Sequence, residues 1–189
     1  ERLTIHQAPD TAKVAIEVKI TPQTNTALEG LYQSGAGDEL MFVTQCEPEG
    51  FRKIIFFPDL PDVLTEYTTR VEADKRFSLL LANGNLIQQG DVGDDRHFAI
   101  WHDPTKKPSY LFACVVADLA VTSDHYTTSE GRDVLLEIYA SPADIDKCHV
   151  AMTALKDAMA WDEERYGRAY DLDRYLIVAT GQFNMGAME

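Results

Sequence analysis

A carboxylate in a stretch of small residues stands at the end of the printed sequence. Glu189 follows Asn184-Met-Gly-Ala-Met188, where Gly186-Ala187 allows a ligand to come close to the backbone. Met185 and Met188 place soft apolar surface around these small residues, and thioether side chains adapt to varied shapes. The stretch therefore allows a ligand to approach a carboxylate beside apolar surface, although such a carboxylate is more often an ordinary loop acid. The alternative is an ordinary loop carboxylate beside methionines that pack in the core.

A second carboxylate, Glu47, lies in Thr44-Gln-Cys-Glu47, where Gln45 offers a neutral hydrogen-bond acceptor. If this carboxylate converged with another, their repulsion in an empty site would make the pocket favour a cation. The alternative is that Gln45 and Glu47 end a strand as solvated polar groups. We expect Cys46 to be a small buried hydrophobe, because no nearby His could serve as a base for a nucleophile.

The histidines do not predict a metal site. All five are scattered along the sequence, and none forms the His-Glu-x-x-His pattern that places two imidazoles on one helix face for zinc. We expect no metal ligands in this chain.

Composition narrows the class of partner. The sequence has 31 acidic and 17 basic residues and a formal charge of −14, which argues against nucleic acid and against an anionic membrane surface. No apolar run reaches the length of about 18 residues that a spanning helix needs, and no signal peptide is visible. Three cysteines without CxxC spacing favour a reducing, cytoplasmic compartment.

The first two thirds of the sequence predict short β-strands, typical of a sandwich. Asn83-Gly84 predicts a tight hairpin turn, because both residues tolerate left-handed conformations. The predicted strands are Lys13 to Ile20, Leu28 to Gln33, Leu40 to Thr44, Phe51 to Phe57, Thr65 to Ala73, Leu79 to Leu81, Leu86 to Ile87, His97 to Trp101 and Tyr110 to Val116.

The pattern changes near Asp118. A hairpin is predicted from Ala120 to Tyr139, with its turn at Ser129 to Arg132, and a buried strand from Tyr175 to Ala179. Between them, Ser141-Pro-Ala-Asp144 predicts a helix start and Gly167 a helix stop. The apolar stripe of this helix comprises Ile145, Cys148, Met152, Leu155 and Met159. We expect one domain at 1–118 and the start of a second, mixed α/β domain at 119–189.

Several stretches together resemble one enzyme family. Asn184-Met-Gly-Ala-Met-Glu189 resembles the Gly-Ala-Met-Glu-Asn motif of zinc aminopeptidases related to aminopeptidase N, most closely their bacterial branch. Three further stretches agree, in the same order along the chain: Leu31-Tyr-Gln-Ser-Gly35, Thr44-Gln-Cys-Glu-Pro-Glu-Gly-Phe-Arg52 and Met159-Ala-Trp-Asp-Glu-Glu-Arg-Tyr-Gly167. The resemblance covers nearly the whole chain.

The resemblance implies roles for the residues singled out above. Glu47 and Glu189 would bind the free α-amino group of a peptide, with Gln45 as a neutral acceptor. Met185, beside Met188, would form the floor of the subsite that binds the side chain of the peptide's first residue. Gly186-Ala187 would present backbone groups to the extended peptide.

The resemblance also implies a fold and a division of labour. The fold would be mainly β: the later part of an N-terminal β-sandwich, followed by the β/α start of a thermolysin-like catalytic domain. The zinc helix would lie downstream of Glu189, so the chain would be a fragment that recognises peptide N-termini and is inactive alone. Two alternatives remain open, a non-catalytic acidic β-rich interaction module and an epoxide-hydrolysing metallopeptidase homologue. An interaction module would bind N-terminally acetylated and free peptides equally well.

Overall fold

The protein, seen here in a computed structural model, is mainly β. The structure describes residues 3–7, 9–181, 183 and 186. In chain order its strands are β1 (Gly30–Ser34), β2 (Met41–Gln45), β3 (Thr65–Asp74), β4 (Leu79–Ala82), β5 (Asn85–Val92), β6 (Arg96–Lys107), β7 (Cys114–Ala117), β8 (Ala120–Thr127), β9 (Asp133–Ala140) and β10 (Arg174–Val178), with one α-helix, α1 (His149–Tyr166), among the described residues.

The strands form three sheets. The first has the order β1-β2-β7-β4 and the second the order β3-β6-β5, and both are antiparallel. These two sheets share one apolar core that contains Trp101, whose Nε1 donates to the Leu80 carbonyl oxygen at 2.8 Å. Consecutive residues are buried in β4 (80–82) and β7 (115–117), so both faces of the first sheet are covered. The β-rich sandwich expected from the sequence is confirmed.

The third sheet, β10-β9-β8, has a core of its own. β8 and β9 form the predicted hairpin, and β10 lies parallel to β9 after the chain has crossed over through α1. The helix ends as predicted at Gly167, which is left-handed with φ 63° and donates its N–H to the Glu163 carbonyl oxygen. The core between helix and sheet consists of Val134, Leu136, Ile138, Met152, Leu155 and Met159. The predicted apolar stripe is therefore confirmed in its central part.

Two strand predictions are wrong. Residues 13–20 form no strand, and Val14 and Val18 are 56% and 39% exposed. Alternating apolar residues favour an extended chain, but a strand also needs a hydrogen-bonded neighbour, and no described residue pairs with this segment. Residues 51–57 begin with a 3-10 turn at Phe51–Lys53 and continue irregularly, because their aromatic rings pack on each other and not across a sheet.

The predicted hairpin at Asn83-Gly84 is also wrong. β4 pairs with β7 in the first sheet, whereas β5 pairs with β6 in the second, so this dipeptide carries the chain from one sheet to the other. Gly84 has φ 91°, and a Cβ placed there would lie 2.2 Å from the His102 carbonyl oxygen. The glycine is required by the close crossing, not by a two-residue turn.

The helix begins later than predicted. Ser141 accepts hydrogen bonds at its carbonyl oxygen from the N–H groups of Asp144 and Ile145, and a 3-10 turn follows at Ile145–Lys147 before α1 starts at His149. The Ser141 hydroxyl donates to the Asp144 carboxylate, so it does not cap the helix. The boundaries around β6 and β7 also differ, because residues Ser109–Leu111 form a 3-10 turn.

Gly84→Ala tests the crossing between the sheets. We expect a loss of at least about 2 kcal/mol in the free energy of unfolding, because the substitution combines a disfavoured φ with a backbone clash. The control is Gly93→Ala, where φ is 63° and a Cβ meets nothing within 4 Å, so only the conformational cost of about 1 kcal/mol applies. Urea unfolding of the two variants measures the difference, and equal losses would contradict this account.

Candidate functional site

The end of β2 places a polar side chain in the interior. Gln45 follows Met41 and Val43 on one face of the strand, and its residue surface is only 1% exposed. Its Oε1 accepts a hydrogen bond from the backbone N–H of Glu47 at 3.3 Å. Its Nε2 is buried and has no hydrogen-bond partner among the described residues.

An unsatisfied buried donor is costly in a folded protein. Leaving such a group without a partner costs about 1–3 kcal/mol, and among the described residues Gln45 Nε2 shares this state with the Tyr67 hydroxyl and Glu163 Oε1. A ligand that accepted a hydrogen bond from Nε2 would remove this cost. Glu47, two residues later, is only partly buried, and its backbone N–H contacts the Gln45 side chain. The structure thus brings together the two upstream residues that the sequence singled out. The alternative of two solvated groups at a strand end fails for Gln45.

The loop that carries Glu47 is tight. The Gly50 N–H donates to the Cys46 carbonyl oxygen at 2.7 Å, and Glu49 adopts a left-handed φ of 71°. A Cβ on Gly50 would lie 2.4 Å from the Gln45 carbonyl oxygen, so the chain returns over the end of β2 at backbone contact distance. The loop at 46–50 therefore leaves little freedom to the backbone of Glu47.

A buried carboxylate anchors the segment after this loop. Asp59 is 6% exposed, and its Oδ2 accepts from the backbone N–H of Arg52 at 2.9 Å and from the Arg52 Nε at 3.3 Å. Its Oδ1 accepts from the hydroxyl of Ser109. Arg52 in turn donates from Nη2 to the Asp59 carbonyl oxygen at 2.6 Å. Neither Asp59 nor Ser109 was singled out from the sequence, because a single Asp between two prolines gives no signal of burial.

An apolar cluster packs beneath the same loop. Cys46 is 0% exposed and packs with Phe51 and Tyr67, as expected for a buried hydrophobe. Burial, with a smaller contribution from the Asp59 carboxylate, raises the pKa of the Cys46 thiol to about 12. The same two causes raise the pKa of Tyr67 to about 12. Cys46 is accordingly confirmed as a packing residue.

The chain that follows β10 runs along the face to which Gln45 belongs. In the pairing of β1 with β2, Ser34 is opposite Met41 and Gly30 is opposite Gln45, so these residues share a face. The Thr180 hydroxyl lies 3.4 Å from that of Ser34, and Phe183 packs on the core that lies there. This end of the face is about 13 Å from Gln45, at roughly 3.3 Å per residue. Residues 181–189 can span up to about 30 Å.

Most of the downstream site residues lie outside the described residues. These are Met185, Ala187, Met188 and Glu189. Gly186 is described; it is exposed, and a Cβ placed there would meet no heavy atom within 4 Å. The meeting of Glu189 with Glu47 therefore stays a prediction, which the course of the chain past Ser34 permits.

Glu163, near the end of α1, has one structural role. Its Oε2 accepts from the Tyr126 hydroxyl and the Ser129 N–H, whereas its Oε1 is buried without a partner among the described residues. The described residues include no group of three or more His, Cys, Asp or Glu side chains placed to hold a metal ion, so they do not fit zinc. Within the described part of the chain, every helix is too short or too polar to cross a bilayer.

Comparison with known protein families identifies the family of this chain. The model of the peptidase M1 N-terminal domain matches residues 1–111. This chain belongs to the M1 peptidase family. The family resemblance drawn from the motifs is thereby confirmed.

Relatives within the M1 family match the chain along its length. It is 52% identical over 189 residues to aminopeptidase N of Caulobacter vibrioides and 51% identical over 188 residues to that of Escherichia coli K12. These matches cover 100% and 99% of the chain but 21% of each relative, so the chain spans about a fifth of their length. The crystal structure of Legionella pneumophila aminopeptidase A in complex with aspartic acid matches with a TM-score of 0.79 and 34% identity, over 86% of this chain and 19% of that one.

The raised thiol pKa values predict selective alkylation. With a pKa of about 12, roughly one Cys46 thiol in 10,000 is ionised at pH 8, and burial raises the pKa of Cys114 to about 12 as well. Iodoacetamide at pH 8 should therefore modify the partly exposed Cys148 of the folded protein first, and Cys46 and Cys114 only after denaturation. Peptide mass spectrometry measures the order. Equal labelling of Cys46 and Cys148 in folded protein would contradict the assignment.

Proposed function

We propose that this chain supplies the α-amine recognition of a zinc aminopeptidase that releases residues from peptide N-termini. The observation that carries the proposal is the buried Gln45 side chain at the tight loop that bears Glu47. Its Oε1 accepts from the Glu47 N–H, and its Nε2 has no partner among the described residues. The identity to proteins named aminopeptidase N supports it.

The chemistry of the two side chains suits a peptide amine. An α-ammonium has a pKa of about 8 and is largely charged at neutral pH. The Glu47 carboxylate offers it a charge-assisted hydrogen bond, and Gln45 Oε1 retains one lone pair beyond the bond from the Glu47 N–H. The Gln45 Nε2 donor suits a backbone carbonyl of the same peptide. Together they would favour a chain end over an internal peptide bond.

The downstream segment would complete the pocket. Glu189 would approach Glu47 and share the ammonium, a step that the extended reach of residues 181–189 allows. Met185 and Met188 would shape the subsite for the first side chain. Gly186-Ala187 would pair its backbone with the extended peptide.

Further elements of the proposal concern the protein that carries this chain. Zinc would be held outside residues 1–189, as the family resemblance implies, and would polarise the scissile carbonyl. The residues described here would act on the amine end of the peptide only, so the chain alone would be inactive. Residues 1–118 would form the sandwich domain and 119–189 the start of the catalytic domain. A cytoplasmic location is supported by three cysteines that form no disulfide.

Glu47→Gln tests the amine contact in the complete protein that carries this chain. Removing the charge should lower kcat/KM for a free-amine peptide about 10-fold to 150-fold, equivalent to the roughly 1.5–3 kcal/mol of a hydrogen bond to a charged group. Steady-state kinetics measure this. The control is Glu66→Gln, which removes an exposed carboxylate from β3, away from the loop, and should stay within about twofold of the parent.

Acetylated peptides separate this proposal from an interaction module. N-terminal acetylation removes the cation, so the complete protein should bind and cleave the acetylated peptide at least about tenfold less well. Equal binding of acetylated and free peptides, together with an unchanged Glu47→Gln variant, would reject amine recognition in favour of the non-catalytic module.

A further inference from the structure

We propose that Asp59 is a positioning residue that fixes the Gln45–Glu47 loop for amine binding, an inference that rests on the function proposed above. Among the described residues, the loop at 46–50 pairs with no strand beyond the end of β2. Its own tight turn restricts the backbone of Glu47, and the polar network around Asp59 adds a second support on the segment that follows.

The first part of the network connects Asp59 to the loop through Arg52. Asp59 accepts from both the backbone N–H and the Nε of Arg52, and the Arg52 Nη1 lies 3.2 Å from the Glu49 carboxylate. The Lys53 N–H donates to the Gly50 carbonyl oxygen at 3.0 Å. A displacement of Arg52 is thus transmitted to both Glu49 and Gly50, and so to the short turn on which Glu47 lies.

The second part connects Asp59 to the first sheet. Ser109, 1% exposed, donates its hydroxyl to Asp59 and begins the 3-10 turn that leads into β7. β7 pairs with β2 two residues before the buried amide, since Val43 is opposite Val115. Asp59 therefore joins the loop to the sheet by a route independent of β2 itself. The bonds of Asp59 to Arg52 and to Ser109 fix the segment after the loop at two points, which limits rotation of the turn that carries Glu47.

The choice of a carboxylate points to positioning. Burying a charge is unfavourable unless it is paired, and an apolar side chain of similar volume would stabilise a purely structural core as well or better. A carboxylate, in contrast, accepts several donors in fixed directions. At Asp59 these donors are Arg52, in the segment after the loop, and Ser109, in the turn that precedes β7. A rigid support of a binding site requires such connections to more than one element.

The test measures recognition of the amine in the complete protein that carries this chain. Ala-Ala amide and its des-amino analogue, propionyl-alanine amide, are compared as competitive inhibitors. The Ki of the des-amino analogue divided by the Ki of Ala-Ala amide reports the contribution of the amine. Asp59→Asn should reduce this ratio between tenfold and a hundredfold, because a displacement of about 1 Å is enough to weaken a directed contact. The Ki of the des-amino analogue should stay within about twofold, which a general structural loss would not leave unchanged.

The controls make each outcome decisive. Asp62→Asn removes an exposed carboxylate from the same proline-flanked segment and should leave the ratio unchanged. If Asp59→Asn does not fold, Ser109→Ala, which removes one donor and keeps the Arg52 pair, should reduce the ratio severalfold. Asp59→Asn added to Glu47→Gln should have little further effect, since both act on one contact.

The two proposals fail in different ways. If Glu47→Gln leaves the ratio unchanged, amine recognition by this site is wrong. If Glu47→Gln reduces the ratio but a folded Asp59→Asn or Ser109→Ala does not, amine recognition stands and the positioning role of Asp59 is overturned.

Discussion

Burial of both faces of the sheet β1-β2-β7-β4 is the constraint on which the rest of the structure depends. Because the second sheet shares the core and further apolar residues such as Leu176 and Phe183 pack against it, the end of β2 has no solvated side. Any polar group placed there must find a partner within the protein or in a ligand. Gln45 is that group, and its amide remains half satisfied.

The surroundings of Gln45 follow from this constraint. A tight loop brings the Glu47 N–H back onto the Gln45 Oε1, and an aromatic cluster around Phe51 fills the space below. The buried Asp59 is compensated by donors from two parts of the chain, so that the polar and apolar supports act on the same short segment. The Gln45 Nε2 donor that stays unsatisfied would be completed by an acceptor, such as the backbone carbonyl oxygen of a peptide bound at the proposed site.

The core between α1 and the third sheet determines where the chain after β10 begins. α1 crosses over the third sheet and returns the chain as β10, parallel to β9, at the edge of the region where Thr180 meets Ser34. The helix is held by apolar residues on one side and by Glu163, which binds the β8–β9 turn. The course of residues 178–181 is therefore set by two packed elements.

The sequence by itself determined the local elements and the family. Alternation at Thr65 to Ala73 and a 3.6-residue stripe through Met152, Leu155 and Met159 express periods that burial on one face imposes directly on side-chain type. Motif order also singled out Gln45 and Glu47 through the family resemblance, and their role in amine binding stays a prediction.

Only the tertiary structure decided which elements meet. Residues 13–20 alternate like a strand yet have no paired neighbour among the described residues, and Asn83-Gly84 reads as a hairpin yet joins two sheets. The hydrogen bond between Ser109 and Asp59 could not be predicted from the sequence for the same reason, because the two residues are 50 positions apart. Long-range pairing and the burial of a single charge leave no periodic trace in sequence, since they depend on where distant parts of the chain come to lie.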